Sequence, residues 1–505
     1  MSFSTTNHLL LLGLGLVATA TACFERDGGK METGKQARRS PTPASKVKSK
    51  LSSLPYVNWV PVKPEDRGRR GVIRHDPKRA YQGLNLYNSM PRARAQLMDM
   101  YGKTVHGWAS SAGQPTRAER EWQRIWSHLD FSGWQHVRAT PEGELYAIIH
   151  LHGLLKLDRD SKVEWLAEVA AHHDLDVAED GDVYTLTAEK RKIVHRKTKL
   201  WILDDHVVVL DRNGKLRRRI SLLDVLLGDP ATRAMMRKKL DWAAKSLAGS
   251  LSTAYLMANA LQKNKRNVKR TAEAFRLILA DRFRAPRGRA EPTRSPARGR
   301  DEPELARTRR IELMLMTVML PMDPIHANAV QVLQRDVEGL GKKGDLLLSV
   351  RELNLVLVLD PKTTKVRWTF GPRVLQRQHQ PSLLESGNVL IFDNGTFSRR
   401  SRVLEVRPDS RQVVWSYQAN PPQAFFSPIR GGAQRLPNGN TLIVESERGR
   451  VFEVTREARL VWEFFNPDLK DPYMRRRRAP IYRMTRLPPD FLQRKTGAAP
   501  QKGPR

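Results

Sequence analysis

Three histidines and an arginine carry the most reactive chemistry in this sequence: His173 in HHD, His326 in DPIHAN, Arg351 in SVREL and His379 in RQHQP. A neutral imidazole, with an ordinary pKa of about 6.5, can attack an electrophile or carry a proton at neutral pH. A guanidinium is a planar, two-pronged donor suited to a tetrahedral oxyanion such as sulfate or phosphate. Together they suit a receptor for such an anion. Their spacing suggests that they meet. His379 precedes Gly387 by eight residues and His173 precedes Gly181 by eight, while Gly431 stands eight before Gly439. His326 opens its segment in the same way with a longer turn, and His136 comes seven before Gly143.

The elements that must position them repeat along the chain. Segments 135–165, 173–187, 326–368, 379–415 and 432–462 each hold a short strand, a Gly-containing turn, an alternating apolar strand, a second turn and a further strand, most ending in Trp. Residues 81–108 complete a set of six, and the third unit continues through KLWILDDHVVVLDRNGKLRRRI. This is the period of a four-stranded blade, so the expected fold is all-β, a six-bladed β-propeller over residues 77–492. Trp108, Trp165, Trp368, Trp415 and Trp462 fill the wedges between blades as core residues. APIYRMTRLPPDFL (479–492) has the length to return a strand to the first blade and close the ring, which removes free sheet edges. Equivalent positions on successive blades share a radius and a height, so the histidines should converge at the central channel.

Residues 229–310 break the pattern. ATRAMMRKKLDWAAKSLAGSLSTAYLMANALQ has helical spacing and RAPRGRAEPTRSPARGRDEPELARTRR has the composition of disorder, so a helical, partly disordered insertion is expected between the third and fourth blades. At the N-terminus, HLLLLGLGLVATATA is too short to span a bilayer and leads to Cys23, the sole cysteine. A lipoprotein signal peptide over 1–22 is expected, with Cys23 as lipid anchor, a basic tether over 23–76 and a disordered tail over 493–505. The chain is then exported, either periplasmic or anchored to the membrane, and its folded part has no disulfide. The net charge of +35 makes a surface that attracts anions and polyanions.

His-His-Asp (172–174), Asp-Pro-x-His-x-Asn (323–328), Ser-x-Arg (349–351) and Gln-His (378–379), in this order, resemble the bacterial arylsulfate sulfotransferase family, as do FDNG (392–395) and LPNGNTLI (436–443). The resemblance covers roughly residues 77–492. It implies a transferase that moves a sulfuryl group from an aryl sulfate ester to a phenol without nucleotide sulfate and without a cofactor. By the same resemblance His379 is the nucleophile that becomes sulfohistidine. Arg351, His173 and Asn328 would stabilise the peripheral oxygens, and His326 would carry the proton of the phenolic oxygen, with His136 and His172 at the edge of the site. The sequence departs from the characterised branch of the family, which has a separate N-terminal β-domain and a cysteine pair.

Other readings compete. Three imidazoles could hold zinc, but Arg351 beside them would repel a metal ion. LDPKTTKVRW (359–368) has the Asp, Thr and Trp spacing of a quinoprotein docking repeat, yet it occurs once, in a six-fold pattern without adjacent cysteines. A secreted, non-catalytic propeller that binds polyanions stays open as the alternative, and the export signal argues against nucleic acid as its partner. His106, His150, His152, His195 and His206 lack the repeated register and read as ordinary core or surface residues.

Overall fold

A computed structural model describes residues 59–114, 133–245, 323–470 and 476–493. Most of these residues fall in two compact units. In the larger unit the chain is mostly β, built from blade-like antiparallel sheets. The first sheet orders Ile481–Leu487, Leu84–Ser89, Arg94–Met98 and Thr104–Ala109. The second runs from His136–Ala139 to Val163–Ala167, the third from Ala171–Val177 to Leu216–Ser221, the fourth from Ala327–Val332 to Val366–Phe370 and the fifth from His379–Leu383 to Val413–Tyr417. The sixth runs from Gly432–Arg435 to Leu460–Phe465. C-terminal residues thus supply the first strand of the first sheet, as the length of 479–492 predicts.

The second strands of the second, fourth, fifth and sixth sheets, LYAII, LLLSV, VLIFD and TLIVE, are largely apolar and fully buried. Sheets packed on both faces require such continuous apolar runs rather than clean alternation. The first strands of neighbouring sheets lie against each other or against the next second strand, in order from the first sheet to the sixth and back to the first. Their outward backbone groups would otherwise be unpaired, so side chains satisfy them. Asp174 and Asp176 accept from the N–H groups of Val330 and Val332 (3.2 and 2.8 Å), Gln331 accepts from Leu383 N–H (2.8 Å), and Gln434 exchanges two bonds with the backbone of Arg486.

The tryptophans do more than fill wedges. Each donates its indole N–H to a carbonyl of the next sheet: Trp108 to Gly143, Trp165 to Arg212, Trp368 to Pro408, Trp415 to Arg456 and Trp462 to Met100. The last strand of the third sheet, LRRRIS, has no Trp to make this latch with the fourth. There the chain departs into a helix, Leu222–Gly228, earlier than the sequence pattern places it. Ser221 caps it by accepting from Asp224 N–H (3.1 Å), and Leu222, Leu223, Val225 and Leu226 are buried. Helix also covers 230–245.

Two differences lie at the N-terminal side. Gly71–His75, expected in the tether, adds a fifth strand to the sixth sheet, and Val60–Pro61 pairs with Arg477–Arg478. The signal, Cys23, most of the tether, the Arg/Pro-rich segment and nearly all of the tail lie outside the described residues. The smaller unit includes 192–202 and 238–245, where His195 and Arg196 both reach the Asp241 carboxylate (2.6 and 2.7 Å).

Closure of the sheet cycle rests on a buried ion pair. Arg486, on the first sheet's C-terminal strand, reaches Glu453 of the sixth sheet (3.0 Å), and both side chains are fully buried. Arg486 also donates to Asn85 Oδ1 and Tyr81 O. Arg486→Met should destabilise the protein by about 3–5 kcal/mol in chemical denaturation, because it strands the Glu453 charge. A loss below about 1 kcal/mol would show that closure does not depend on the pair.

Candidate active site

First strands are regular in the second and sixth sheets and bulged in the others. Register shifts fall at His172/Leu175, Ala327/Ala329, His379/Ser382 and Ile481/Met484. Positive φ values accompany them at His173 (63°), His326 (50°) and Gln380 (42°). A bulge turns side chains away from the strict alternation of a strand, and here it aims polar residues inward. His379, His173, His326 and Arg351 are all buried.

The register differs in part from the one read off the turns. Four residues before the last strand pair ahead of the first turn stand His379, His173, Gly431, Asn328, Gln135 and Arg483. His379, His173 and Gly431 are where the spacing puts them. His326 sits two residues earlier than its sheet's equivalent, Asn328, and His136 one later than Gln135. The bulge at Ala327/Ala329 is what brings His326 into the cluster in spite of the offset.

The imidazoles meet. The rings of His173 and His326 are 4.9 Å apart, those of His172 and His173 4.8 Å, and those of His150 and His173 6.1 Å. Each ring of the cluster has its Nδ1 occupied. His379 Nδ1 donates to Asn394 Oδ1 (2.6 Å), and the Asn394 amide donates to the carbonyls of Ser427 and Arg430 (2.7 and 2.9 Å), which fixes its oxygen toward the ring. His326 Nδ1 bonds the Asp323 carboxylate, whose other oxygen accepts from the His326 backbone N–H (3.0 Å). Nδ1 atoms of His172 and His173 are 2.6 Å apart, while His172 Nε2 lies 3.2 Å from the Asp205 carboxylate. His150 Nδ1 donates to Gln135 Oε1 (2.8 Å).

Burial holds His379 well below the ordinary imidazole range, and the Arg351 guanidinium and His326 push in the same direction. His173 is depressed by burial and by His172, His326, His150 and His379, and His150 by burial, His172, Arg430 and His326. These rings are therefore neutral at pH 7. Burial works against the Asp323 charge, but His326 and Arg351 outweigh it and keep the carboxyl below its usual range.

Arg351 follows the second strand of the fourth sheet and bonds Glu352 through Nη1 (2.8 Å). Its buried Nε–H has no hydrogen-bond partner. Such a donor is costly unless something accepts from it. Asn328 takes a different part from the one expected. Its Nδ2 donates to Gln378 O (2.9 Å), while its buried Oδ1 is unpartnered. Gln378 in turn donates to Ser349 Oγ (3.0 Å) and Leu355 O (2.9 Å). Asn328, Ser349 and Gln378 thus fasten the backbone next to His379 to the fourth sheet. His136 lies with Arg483 and Asp174: its Nε2 is 3.4 Å from each, and Arg483 bonds Asp174 at 2.7 Å.

Two family models match the chain, both described as arylsulfotransferase (ASST), one over residues 117–375 and the other over 314–466. The first spans more than half of the 505 residues. The chain belongs to the arylsulfotransferase family. No curated protein matches it. Solved structures similar to this arylsulfotransferase include a protein of unknown function from Bacteroides caccae (10% identity, TM-score 0.40, covering 76% of this chain and 94% of that one). A streptogramin B lyase (8%, TM-score 0.38, 85% and 97%) and BamB from Moraxella catarrhalis (8%, TM-score 0.29, 78% and 76%) are also similar.

Several polar residues of this cluster escape a reading by register alone. His150, which lacks the repeated spacing, belongs to the cluster. Arg483 stands in the register of His379 on the closing strand, where no glycine turn precedes the first sheet to mark it. Tyr482 lies 6.1 Å from the His173 ring. Arg430 is buried beside Glu447 (3.6 Å) one residue before Gly431. Asn394 was visible only as part of FDNG. Arg351→Lys keeps the charge and loses the Nε–H, so turnover should fall roughly ten- to a thousandfold in a steady-state assay with an aryl sulfate, the scale of one oriented donor. An unchanged rate would remove Arg351 from the site.

Proposed function

We propose that this arylsulfotransferase is a six-bladed β-propeller enzyme that moves a sulfuryl group from an aryl sulfate ester to a phenol through a sulfohistidine at His379. The observation that supports this most is His379 itself: a buried, neutral ring whose Nδ1 proton is held by Asn394, leaving the lone pair on Nε2, with Arg351 near enough to depress its pKa. A neutral nucleophile and an unpartnered guanidinium N–H are what an anionic, tetrahedral sulfuryl donor needs.

In the first step the Nε2 lone pair attacks sulfur, an N–S bond forms, and the S–O(aryl) bond breaks with its electron pair going to the phenolate oxygen. That oxygen takes a proton from the Nε2 of protonated His326, whose Nδ1 stays on Asp323. In the second step the acceptor phenol gives its proton to His326 Nε2, its oxygen bonds sulfur, and the N–S pair returns to His379. Arg351 stabilises the peripheral oxygens in both steps, as positioning and electrostatics dominate loose group transfers of this kind. His173, fixed through His172 and Asp205, lies against His326 and completes the polar wall. Asn328 supports the nucleophile's backbone, and His136 and Arg483 lie together at the edge. Cys23 as a lipid anchor and an exported location are part of the same proposal, and they rest on residues 8–23 of the sequence alone.

A chromogenic aryl sulfate with varied phenol tests the reading. Release of the donor phenol should follow ping-pong kinetics, with parallel lines in double-reciprocal plots, and His379→Asn should abolish turnover without loss of the fold. Intersecting lines, or parental turnover in the variant, would overturn the covalent mechanism. No transfer from any aryl sulfate, with salt-sensitive polyanion binding instead, would favour the non-catalytic reading.

A further inference from the structure

We propose that Asn394 is a positioning residue that makes His379 the nucleophile: its uncharged carbonyl holds the ring in the Nδ1–H form and stabilises a positive charge on it less than a carboxylate would, whereas the Asp323 carboxylate fits His326 to carry a proton. The proposal rests on the sulfohistidine reading above and assigns the division of labour between two otherwise similar imidazoles.

The geometry behind it is asymmetric in one respect only. Both rings are buried and both use Nδ1 for an oxygen acceptor. The acceptor for His379 is an amide, and that for His326 is a carboxylate. Asn394 cannot turn its nitrogen toward the ring without losing its two bonds to Ser427 O and Arg430 O, so its oxygen is locked toward Nδ1. Those two carbonyls belong to the segment that leads into the sixth sheet, so the nucleophile's tautomer is set from a neighbouring sheet. Asn394 follows Asp393 at the end of the second strand of the fifth sheet, as Arg351 follows Val350 in the fourth.

The chemical consequence concerns the intermediate. Sulfuryl transfer to Nε2 of an Nδ1–H ring gives an N-sulfo imidazolium, and its N–S bond is broken in the second step as the ring returns to neutrality. A carboxylate at Nδ1 would stabilise the cation and make the sulfuryl group harder to pass on. An amide orients the ring and leaves the N–S bond labile. For His326 the requirement is opposite, since it must bring a proton to the first step and take one back in the second. The balance at His379 agrees with this: burial, Arg351 and His326 disfavour its protonation and outweigh the opposing hydrogen bond of Asn394, and among the nearby acids Glu352 is paired to Arg351 and Arg377, Asp323 to His326, Asp393 to Arg402 and Glu447 to Arg430.

The test begins on the unmodified protein without any donor. With ring nitrogens labelled by 15N, and His379 assigned by the signals lost in His379→Asn, the His379 ring should show protonated Nδ1 and bare Nε2 at pH 7. A ring protonated at Nε2 overturns the proposal, whether or not the protein transfers sulfate. Asn394→Ala should redistribute the proton between the two nitrogens and lower turnover roughly ten- to a hundredfold, the usual scale for losing a group that orients a histidine. Asn394→Asp should raise the His379 pKa, so that the acidic limb of kcat/KM moves up by about one to three pH units and activity is lost earlier as pH falls. The lifetime of the sulfohistidine in that variant should lengthen. If both variants show the parental tautomer and pH profile, with loss of rate tracking only loss of thermal stability, Asn394 is structural and the proposal falls. Absence of transfer by an unmodified protein whose His379 is in the Nδ1–H form would instead refute the sulfotransferase reading, and with it the role given to Asn394 here.

Discussion

Burying His150, His173 and His379 among arginines and other imidazoles is tolerable only if these three rings stay neutral and each Nδ1 has a partner. A charged ring in such surroundings would pay both desolvation and repulsion from Arg351. The structure meets the constraint ring by ring. Asn394, Asp323, Gln135 and the His172–His173 contact each occupy one or more Nδ1 atoms, and the depressed pKa values of His150, His173 and His379 follow from the same burial.

That requirement explains why the first strands are irregular. A regular strand offers side chains alternately, and it would give each sheet one inward polar group at a given level. Bulges at His172/Leu175, Ala327/Ala329 and His379/Ser382 let a single sheet contribute adjacent residues, such as His172 and His173. The strain of positive φ at His173 and His326 is held by neighbours: Gln135 takes the His173 N–H (2.7 Å), and Asp323 takes that of His326. The motifs that mark the family therefore divide into two kinds. His379, His326 and Arg351 are buried with the imidazole cluster, whereas Gln378, Ser349 and Asn328 fasten the chain that carries His379.

Much of the fold was legible because large β repeats leave a periodic trace. Trp108, Trp165, Trp368, Trp415 and Trp462 marked the sheet ends, and the apolar strand in 479–492 marked the closing one. Their indole hydrogen bonds to the following sheet were not legible, since the acceptors are backbone carbonyls that have no sequence signature. Register from the glycine turn located His379 and His173. It misplaced His326 and His136 relative to their sheets: the first turn after His326 is longer, and His136 stands seven rather than eight residues before its glycine on a regular strand. Arg483, His150 and Asn394 were missed as site residues for related reasons: one lies on a strand that comes from the far end of the chain, and the other two follow second strands, a position that the count from the first turn does not reach.

The account's central claim is that His379 takes the sulfuryl group onto its own ring. Brief exposure of the protein to an aryl sulfate without acceptor, followed by rapid digestion and mass spectrometry under neutral conditions, reads it directly. A labile gain of about 80 Da on the peptide that contains His379, discharged by added phenol, is the result this account requires of a covalent nucleophile. An adduct on a peptide containing His173 or His326, or turnover with no adduct on any histidine, would contradict it.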